Sequence, residues 1–231
     1  MIGTDTKQEQ ETRKIEIMES VFDKNERLAA ELNAKLTARG IFCVNVMGAP
    51  GVGKTTTLTR IIEALGRPAF VIEGDIESDI DTQKLRSLGI STLQINTGGA
   101  CHLDSPIVAN AFLSDETAAG FSGGFLFIEN IGNLVCPAEF MIGEHAKLLI
   151  CSVTDGSDKP YKYPLAFEKA DIILLNKCDL LEYVDFDWEF FISGVKKLNA
   201  RAEVFRISGK NGAGIGEAAG WLLERAKKVI G

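Results

Sequence analysis

The sequence predicts an α/β fold in which helices cover both faces of a mostly parallel sheet. Two observations support this class: short apolar runs alternate with helical patterns from residue 41 onward, and a glycine-rich loop separates the first such run from the next helix. In sheets of this kind, ligands bind beyond the carboxyl ends of the strands. We therefore expect a helical extension over residues 1–40 and one ligand-binding domain over residues 41–231.

Each element follows from its local pattern. Residues 7–39 place apolar side chains at helical spacing, and Gly40 ends this long N-terminal helix. Ser105 suits the N-cap of a later helix that begins at Pro106. Strands are predicted over residues 41–47, 69–73, 91–96, 124–129, 148–154, 171–176 and 202–207. Further helices are predicted over residues 54–65, 79–88, 106–113, 161–169, 188–198 and 215–229.

The composition argues against several classes of partner. With 25 basic and 32 acidic residues the formal net charge is −7, which disfavours nucleic acid because phosphate neutralisation needs clustered Lys and Arg. No apolar run reaches the roughly 20 residues that cross a bilayer, and the polar start lacks a signal peptide's apolar stretch. We therefore expect a cytoplasmic protein without membrane insertion. Five cysteines, an odd number, argue against a disulfide framework, and Cys43 and Cys151 have the pattern of inert core residues.

A complete phosphate-binding P-loop follows the first strand of the alternating series. Its sequence is Gly48-Ala49-Pro50-Gly51-Val52-Gly53-Lys54-Thr55. The glycines let backbone N–H groups wrap phosphates without steric conflict, and the helix N-terminus adds partial positive charge. In a P-loop NTPase we expect Lys54 to bridge the terminal phosphates and Thr55 to ligate Mg²⁺. The predicted phosphate-binding residues are Gly48, Gly51, Val52, Gly53, Lys54, Thr55 and Thr56.

The segment Asn176-Lys177-Cys178-Asp179 has the spacing of a guanine reader and follows a predicted strand. The Asp179 carboxylate would accept hydrogen bonds from N1–H and the 2-amino group of guanine, a donor pair that adenine lacks. Asn176 would meet the purine edge, and the stem of Lys177 would cover its face. The two motifs together predict GTP. A second contact to the base could come from the loop after the next strand, at Ser208 and Lys210.

Two carboxylates and a glycine complete the predicted catalytic set with Lys54. Asp75 is placed at the end of the second strand and Glu129 at the end of the fourth, where a carboxylate can hold Mg²⁺ directly or through water. Gly132 could offer its N–H to the γ-phosphate. The next residue is Asn133, at a place where fast GTPases often have a water-orienting glutamine. We therefore predict slow intrinsic hydrolysis of GTP to GDP and phosphate.

Cys101, His102 and Cys136 are the candidate metal ligands. Two thiolates and an imidazole suit Zn²⁺ or Ni²⁺, and a second subunit could complete the coordination of a three-ligand site. Cys136 follows Gly132 on the same loop, so a change at the nucleotide could reach the metal. From the spacing alone, loop residues with unconnected roles are an equal alternative. His145, the other histidine of the sequence, is expected to be a surface or loop residue.

The sequence closely resembles the hydrogenase nickel-incorporation GTPases of the HypB family, which are SIMIBI-class P-loop NTPases. The resemblance runs from about residue 41 to the C-terminus. Its most specific segments are Cys101-His102-Leu103-Asp104 and the run from Glu129 to Pro137. Supporting segments are Gly48 to Thr55, Glu73-Gly74-Asp75, Asp158-Lys159-Pro160 and Asn176 to Asp179.

The resemblance implies a GTP-dependent metallochaperone that assists nickel insertion into a [NiFe]-hydrogenase precursor. It implies a GTP-dependent homodimer with a Ni²⁺ or Zn²⁺ site at the interface, formed by Cys101, His102 and Cys136. The implied partners are a HypA-type zinc accessory protein and the hydrogenase large-subunit precursor. Because no cysteine precedes Cys43 and the first histidine is His102, high-capacity nickel storage is not expected.

Three alternatives remain open from the sequence. The chain could be a GTP-controlled scaffold whose metal is purely structural. It could be a urease-type nickel accessory GTPase, although that branch carries Cys-Pro-His where this chain has Cys101-His102-Leu103. A P-loop small-molecule kinase is disfavoured by the guanine reader at residues 176–179.

Overall fold

A computed structural model of the chain describes residues 7–75, 80–99 and 101–231. One sheet has the strand order β3-β2-β4-β1-β5-β6-β7, and each neighbouring pair is parallel. The predicted α/β class is therefore confirmed. The strands are β1 (Ile41–Met47), β2 (Ala69–Asp75), β3 (Ser91–Asn96), β4 (Gly124–Glu129), β5 (Ala146–Ser152), β6 (Ile172–Asn176) and β7 (Glu203–Arg206).

Helices connect these strands and cover both faces of the sheet. None of the described helices combines the length and apolarity that crossing a membrane requires. Short 3-10 helices span Val153–Asp155 and Cys178–Tyr183. The α-helices are α1 (Lys7–Ala38), α2 (Lys54–Leu65), α3 (Ile80–Ser87), α4 (Ser105–Ser114), α5 (Glu116–Gly120), α6 (Cys136–Glu139), α7 (Lys159–Lys162), α8 (Pro164–Lys169), α9 (Trp188–Leu198) and α10 (Ile215–Ile230).

Alternate side chains of the central strand β1 face different layers of helices. Val44 belongs to a buried cluster with Leu58 of α2 and Leu222 of α10. Its neighbour Cys43 lies in a separate cluster with Leu36 of α1. Since successive Cβ atoms point to opposite faces of a strand, β1 is buried on both sides and its sequence reads as a nearly continuous apolar run.

The long N-terminal helix ends one residue before its predicted end. Leu32 and Leu36 of α1 are buried in the same cluster as β1 residues, so this part of the helix packs directly on the sheet. The helical spacing also included the apolar residues Ile15, Met18 and Val21, whose side chains lie outside those that the structure describes. The domain boundary at residue 40 stays a prediction.

Several local predictions were wrong. The N-cap of α4 is Asp104, whose carboxylate caps the first turn, whereas Ser105 is the first helical residue. The single helix predicted before β6 is divided into α7 and α8, because Pro164 has no N–H with which to continue the first. Strand β5 lies two residues earlier than predicted, since Val153–Asp155 form a 3-10 turn. The short helices α5 and α6 were missed.

Cys43 and Cys151 are core residues, as predicted. Both are buried, in separate apolar clusters on β1 and β5. Burial raises the pKa of each thiol above its ordinary value, because a thiolate would be poorly solvated there. Neither side chain is therefore suited to binding a metal.

His145 lies in the loop before β5, as expected, and its side chain is partly buried and not at the surface. Its half-buried ring accepts a hydrogen bond from the Cys43 N–H at 2.9 Å through Nδ1. Its Nε2 lies 2.8 Å from the hydroxyl oxygen of Thr37, which itself donates to the Asn33 carbonyl. The hydroxyl must therefore accept from Nε2–H, so both ring nitrogens are bonded in the neutral form. Burial lowers the pKa of His145 to about 4.

We expect the free energy of unfolding to fall as the pH decreases from about 6.5, the ordinary histidine pKa, towards 4. Within this window the unfolded chain binds a proton at His145 that the folded chain does not, so acid favours unfolding. Above the window both states hold neutral imidazole, and the contribution of His145 is fully present.

Urea titrations at pH 7 and pH 5 measure this loss. His145→Gln keeps an acceptor for the Cys43 N–H but cannot titrate, so its loss between the two pH values should be smaller. An equal loss in the variant and the wild type would contradict the assignment to His145.

Candidate functional site

The P-loop connects the end of β1 to the start of α2, and its geometry requires glycine. Gly51 and Gly53 have φ values of 77° and 90°, in the left-handed region that disfavours a side chain. A Cβ atom at Gly48 would lie 2.7 Å from the Ile150 carbonyl oxygen. Gly53 is the N-cap of α2, so no side chain caps the first turn. This combination of a glycine loop and an uncapped helix N-terminus is typical of a phosphate site.

A buried threonine and a buried glutamate meet beside the P-loop. The Thr55 hydroxyl donates to Glu129 Oε1 at 3.1 Å, and the two residues are 7% and 5% exposed. Their oxygens are ligands of the kind that Mg²⁺ prefers. Asp75 ends β2, as expected, but its side chain lies outside the described ones. The structure thus brings together two of the three predicted Mg²⁺ ligands and does not address the third.

Asn176 joins the predicted guanine reader to the P-loop. Its Nδ2 donates to the Val52 carbonyl at 2.8 Å, and its Oδ1 accepts from the N–H groups of Lys177 and Gly209 at 2.7 and 2.9 Å. Lys177 Nζ donates to the Gly51 carbonyl at 2.7 Å. The segment at 176–179 and the loop after β7 are therefore held against the P-loop, as one nucleotide site requires.

Ser208 lies next to the carboxylate of Asp179. Its hydroxyl donates to Asp179 Oδ1 at 2.6 Å, and Ser208 itself is 1% exposed. This contact orients the carboxylate and leaves its second oxygen for a ligand. Lys210 lies on the same loop with an exposed side chain. Of the two residues predicted to make a second contact to the base, Ser208 thus contacts Asp179 of the predicted guanine reader, whereas Lys210 lies at the surface.

The three predicted metal ligands converge at one point. The sulfurs of Cys101 and Cys136 are 3.2 Å apart, and Cys101 Sγ lies 3.4 Å from His102 Nδ1. All three ligand atoms lie within 4.8 Å of one another, the distance range of a shared ion. Cys101 is exposed, whereas His102 and Cys136 are half-buried. The geometry therefore favours a metal site over unconnected loop residues.

The neutral state of His102 favours metal binding, whereas the protonated state of the Cys136 thiol opposes it. Partial burial lowers the pKa of His102, although Asp104 and Glu139 act in the opposite direction, so the imidazole is held in the neutral form that binds metals. The adjacent Cys101 thiol raises the pKa of Cys136. A metal would have to displace thiol protons, so its affinity should increase with pH.

The loop after β4 touches both the P-loop and the cysteine–histidine cluster. Gly132 packs on Pro50, where an added Cβ atom would lie 2.9 Å from the proline Cγ. One residue further, Asn133 Nδ2 donates to the Cys101 carbonyl at 3.2 Å. Asn130, which is buried, accepts from the Leu103 N–H at 3.1 Å. A shift of this loop at the P-loop would therefore move the segment that carries two of the metal ligands.

A cavity of about 390 Å³ lies between the P-loop and the cluster. Pro50, Gly132 and Cys101 line it, together with Lys159 and Tyr163. The Lys159 ammonium nitrogen lies 5.3 Å from the centre of the Tyr163 ring, a cation–π distance. The P-loop and the cysteine–histidine cluster thus border the same cavity.

Sequence reasoning assigned no individual role to three residues that support this site: Asn25, Asn130 and Phe140. Asn25 occupies a position on the apolar stripe of α1, and a polar residue at such a position was the available signal. Phe140 stacks on the His102 ring with centroids 4.1 Å apart. Nothing in the sequence indicates that contact, because it joins residues 38 positions apart.

Comparisons with known proteins identify the family of the chain. Residues 42–206 match the family model described as CobW/HypB/UreG, nucleotide-binding domain. The chain is 47% identical over 214 residues to the hydrogenase maturation factor HypB of Azotobacter chroococcum mcd 1, covering 92% of this chain and 69% of that protein.

Two solved structures share the fold. The crystal structure of HypB from Helicobacter pylori in complex with nickel has a TM-score of 0.83 and 36% identity, covering 89% of this chain and 96% of that one. The hydrogenase maturation factor HypB from Archaeoglobus fulgidus has a TM-score of 0.80 and 35% identity, covering 88% and 99%. The chain therefore belongs to the CobW/HypB/UreG family and, within it, to the HypB hydrogenase maturation factors.

Proposed function

We propose that this HypB-family chain is a slow GTPase that uses the nucleotide to control a nickel cargo held by Cys101, His102 and Cys136. The observation that supports this most directly is the loop after β4. It packs on Pro50 of the P-loop through Gly132 and donates to the Cys101 carbonyl through Asn133. One short segment thus contacts both the nucleotide half and the metal half.

In the nucleotide half, backbone N–H groups of the P-loop surround the phosphates and Lys54 bridges the terminal ones. Thr55 and Glu129, with Asp75 at the end of β2, would hold Mg²⁺, which when bound neutralises phosphate charge. Gly132 offers its N–H to the γ-phosphate. Because Asn133 bonds to the Cys101 segment rather than serving as a water-orienting glutamine, intrinsic hydrolysis is slow.

In the metal half, two sulfurs and one imidazole nitrogen supply three ligands to the cargo. Ni²⁺ and Zn²⁺ both accept such a set. A second copy of the chain would add its own ligands across a GTP-dependent homodimer, and the cargo would pass to a hydrogenase large-subunit precursor with help from a HypA-type zinc accessory protein. The site at Cys101 is exposed, as handing over a cargo requires.

We expect Asp179→Asn to reduce GTP affinity by about 100-fold or more, because its amide would oppose the donor pair of guanine. The variant keeps an oxygen for the Ser208 hydroxyl, so the loop should stay in place. Xanthosine triphosphate, which has a carbonyl in place of the 2-amino group, should bind the variant better than the wild type. Calorimetry with GTP and with xanthosine triphosphate measures the affinity of each protein for each nucleotide. Unchanged GTP affinity, or no gain for the xanthine nucleotide, would contradict the assignment of Asp179.

We expect Asn176→Ala to lower both stability and nucleotide affinity. It removes three hydrogen bonds from a residue that is 3% exposed, at a cost of about 1–3 kcal/mol in unfolding free energy. It also releases the reader from the P-loop, so GDP should bind at least about 10-fold more weakly.

Asn199→Ala is the matched control. The Asn199 amide donates to three carbonyls, of Phe167, Glu168 and Ala170, away from the P-loop. This variant should lose comparable stability in denaturant titrations and keep wild-type GDP affinity. If both variants lost GDP affinity equally, the effect of Asn176 would be one of general stability.

The decisive experiment for the proposed function measures bound Ni²⁺ and Zn²⁺ together with solution mass, in GDP and in a non-hydrolysable GTP analogue. We expect metal binding to change with nucleotide state and to be lost in Cys101→Ala and in Cys136→Ala. Cys151→Ala, which removes a buried core thiol of β5 outside both the cluster and the guanine reader, should bind metal like the wild type. The dimer could instead depend on nucleotide while the amount of bound metal is the same in both nucleotide states and in both cysteine variants. That result would indicate a GTP-controlled scaffold.

A further inference from the structure

The metal ligands come from two segments, and one side chain of α1 bonds to both. Asn25 Nδ2 donates to the Met141 carbonyl at 2.8 Å, five residues after Cys136. Asn25 Oδ1 accepts from the Ser105 N–H at 2.9 Å, three residues after His102. The Ser105 hydroxyl donates in return to the Asn25 carbonyl at 2.8 Å. The two ligand-bearing segments are thus joined through a single residue.

The chemistry of these bonds requires an amide. Asn25 is 4% exposed, and a buried polar group is stable only when it is hydrogen-bonded. An asparagine side chain both donates and accepts, so it can satisfy a carbonyl on one segment and an N–H on the other. Because both partners are backbone atoms, the bonds fix the course of the chain and not merely one rotamer.

A stack of three rings connects the same face of α1 to a ligand. The His102 ring lies on Phe140 with centroids 4.1 Å apart and planes 19° apart. Phe140 lies on Phe22 with centroids 4.9 Å apart and planes 15° apart. Phe22 precedes Asn25 by three residues, close to one helical turn, so both side chains lie on one face of α1. This stack sets the plane of the imidazole and thus the direction of Nδ1 towards Cys101.

Another asparagine of α1 touches only one of the two segments. Asn33 Nδ2 donates to the carbonyls of Gly143 and Glu144 at 3.1 and 3.0 Å, both in the chain that follows Cys136. Asn33 therefore ties α1 to the domain without joining the ligand segments to each other. It provides a control on the same helix with the same side chain.

We propose that α1 is a structural part of the metal site and that Asn25 is the positioning residue that sets the distance between the Cys101-His102 segment and the Cys136 segment. The proposal rests on the cysteine–histidine cluster of the proposed function. Residues that orient metal ligands without touching the metal typically change metal affinity by about 10- to 100-fold when they are replaced. We expect an effect in this range at Asn25.

The first test compares Asn25→Ala with Asn33→Ala. Zn²⁺ and Ni²⁺ affinities are measured by competition with a chromophoric chelator, and the absorption spectrum of bound Co²⁺ reports the ligand geometry. We expect Asn25→Ala to bind Zn²⁺ about 10- to 100-fold more weakly, with an altered Co²⁺ spectrum and unchanged GDP affinity. Asn33→Ala should lower the melting temperature but keep the affinity and spectrum of the wild type. Wild-type metal affinity in Asn25→Ala, or an equal loss in Asn33→Ala, would overturn the proposal.

A second variant covers the case in which Asn25→Ala does not fold. Asn25→Asp keeps the acceptor for the Ser105 N–H and replaces only the donor to the Met141 carbonyl. It should weaken metal binding in the same direction, and a wild-type affinity would again contradict the assignment.

A metal-free measurement separates this proposal from the proposed function. In glutathione buffers the Cys101 and Cys136 thiols are oxidised to a disulfide while one glutathione disulfide is reduced to two glutathiones. Mass spectrometry of the linked peptides then gives the effective concentration of one thiol at the other. We expect this concentration to fall at least about 10-fold in Asn25→Ala and to be unchanged in Asn33→Ala. An unchanged value in Asn25→Ala would overturn the positioning role, whereas failure of the wild type to bind Ni²⁺ or Zn²⁺ would overturn only the cargo assignment.

Discussion

Parallel hydrogen bonding brings the ends of β1, β4 and β6 to one edge of the sheet. Val46 of β1 lies opposite Glu129 of β4, and Ser152 of β5 lies opposite Asn176 of β6. The P-loop, the Thr55–Glu129 pair and the guanine reader therefore start from strand ends on the same edge of the sheet, although Gly48 and Asp179 are 131 residues apart in the sequence. The register of a buried sheet is strongly specified, because a shift by one residue would turn each side chain to the opposite face.

Near this edge, three asparagine side chains form hydrogen bonds that connect separate segments of the chain. Asn176 connects the reader to the P-loop, Asn130 connects the end of β4 to Leu103, and Asn25 connects α1 to both metal segments. All three are buried. A buried amide that meets backbone partners on two segments is costly to leave unsatisfied, so it fixes those segments relative to each other. It carries no net charge and needs no counter-ion, which suits a site whose ligands are themselves charged.

The loop after β4 contacts both the P-loop and the segment that carries Cys101. Gly132 allows close contact with Pro50, and Asn133 reaches the Cys101 carbonyl. Interiors packed this closely respond to a local change by shifting whole segments, because little free volume is left to absorb it. The separation between the two halves of the site is short, so the proposed coupling needs no rearrangement of the sheet. Helix α1 bonds to both ligand segments through Asn25, so the two segments are fixed relative to each other.

The sequence by itself determined the order of the main elements and the P-loop motif, and it predicted the guanine reader and the three residues of the cysteine–histidine cluster. These follow from local periodicity and from motifs whose spacing is set by the chemistry of phosphate and guanine. The cap at Asp104 and the helix break at Pro164 are local signals that the sequence-based prediction missed, whereas the half-buried position of His145 was decided by contacts with Thr37 and Cys43 that no local pattern contains.

Only the tertiary structure decided that Cys101, His102 and Cys136 meet, and that Asn25 and Phe140 support them. The sulfurs 3.2 Å apart belong to residues 35 positions apart in the chain, and their distance depends on how α1, α4 and α6 pack together. Such packing depends on the shapes of many side chains at once, whereas a motif depends on a few neighbouring residues. For that reason the three residues could be proposed as ligands from the sequence, whereas their convergence at one point could not.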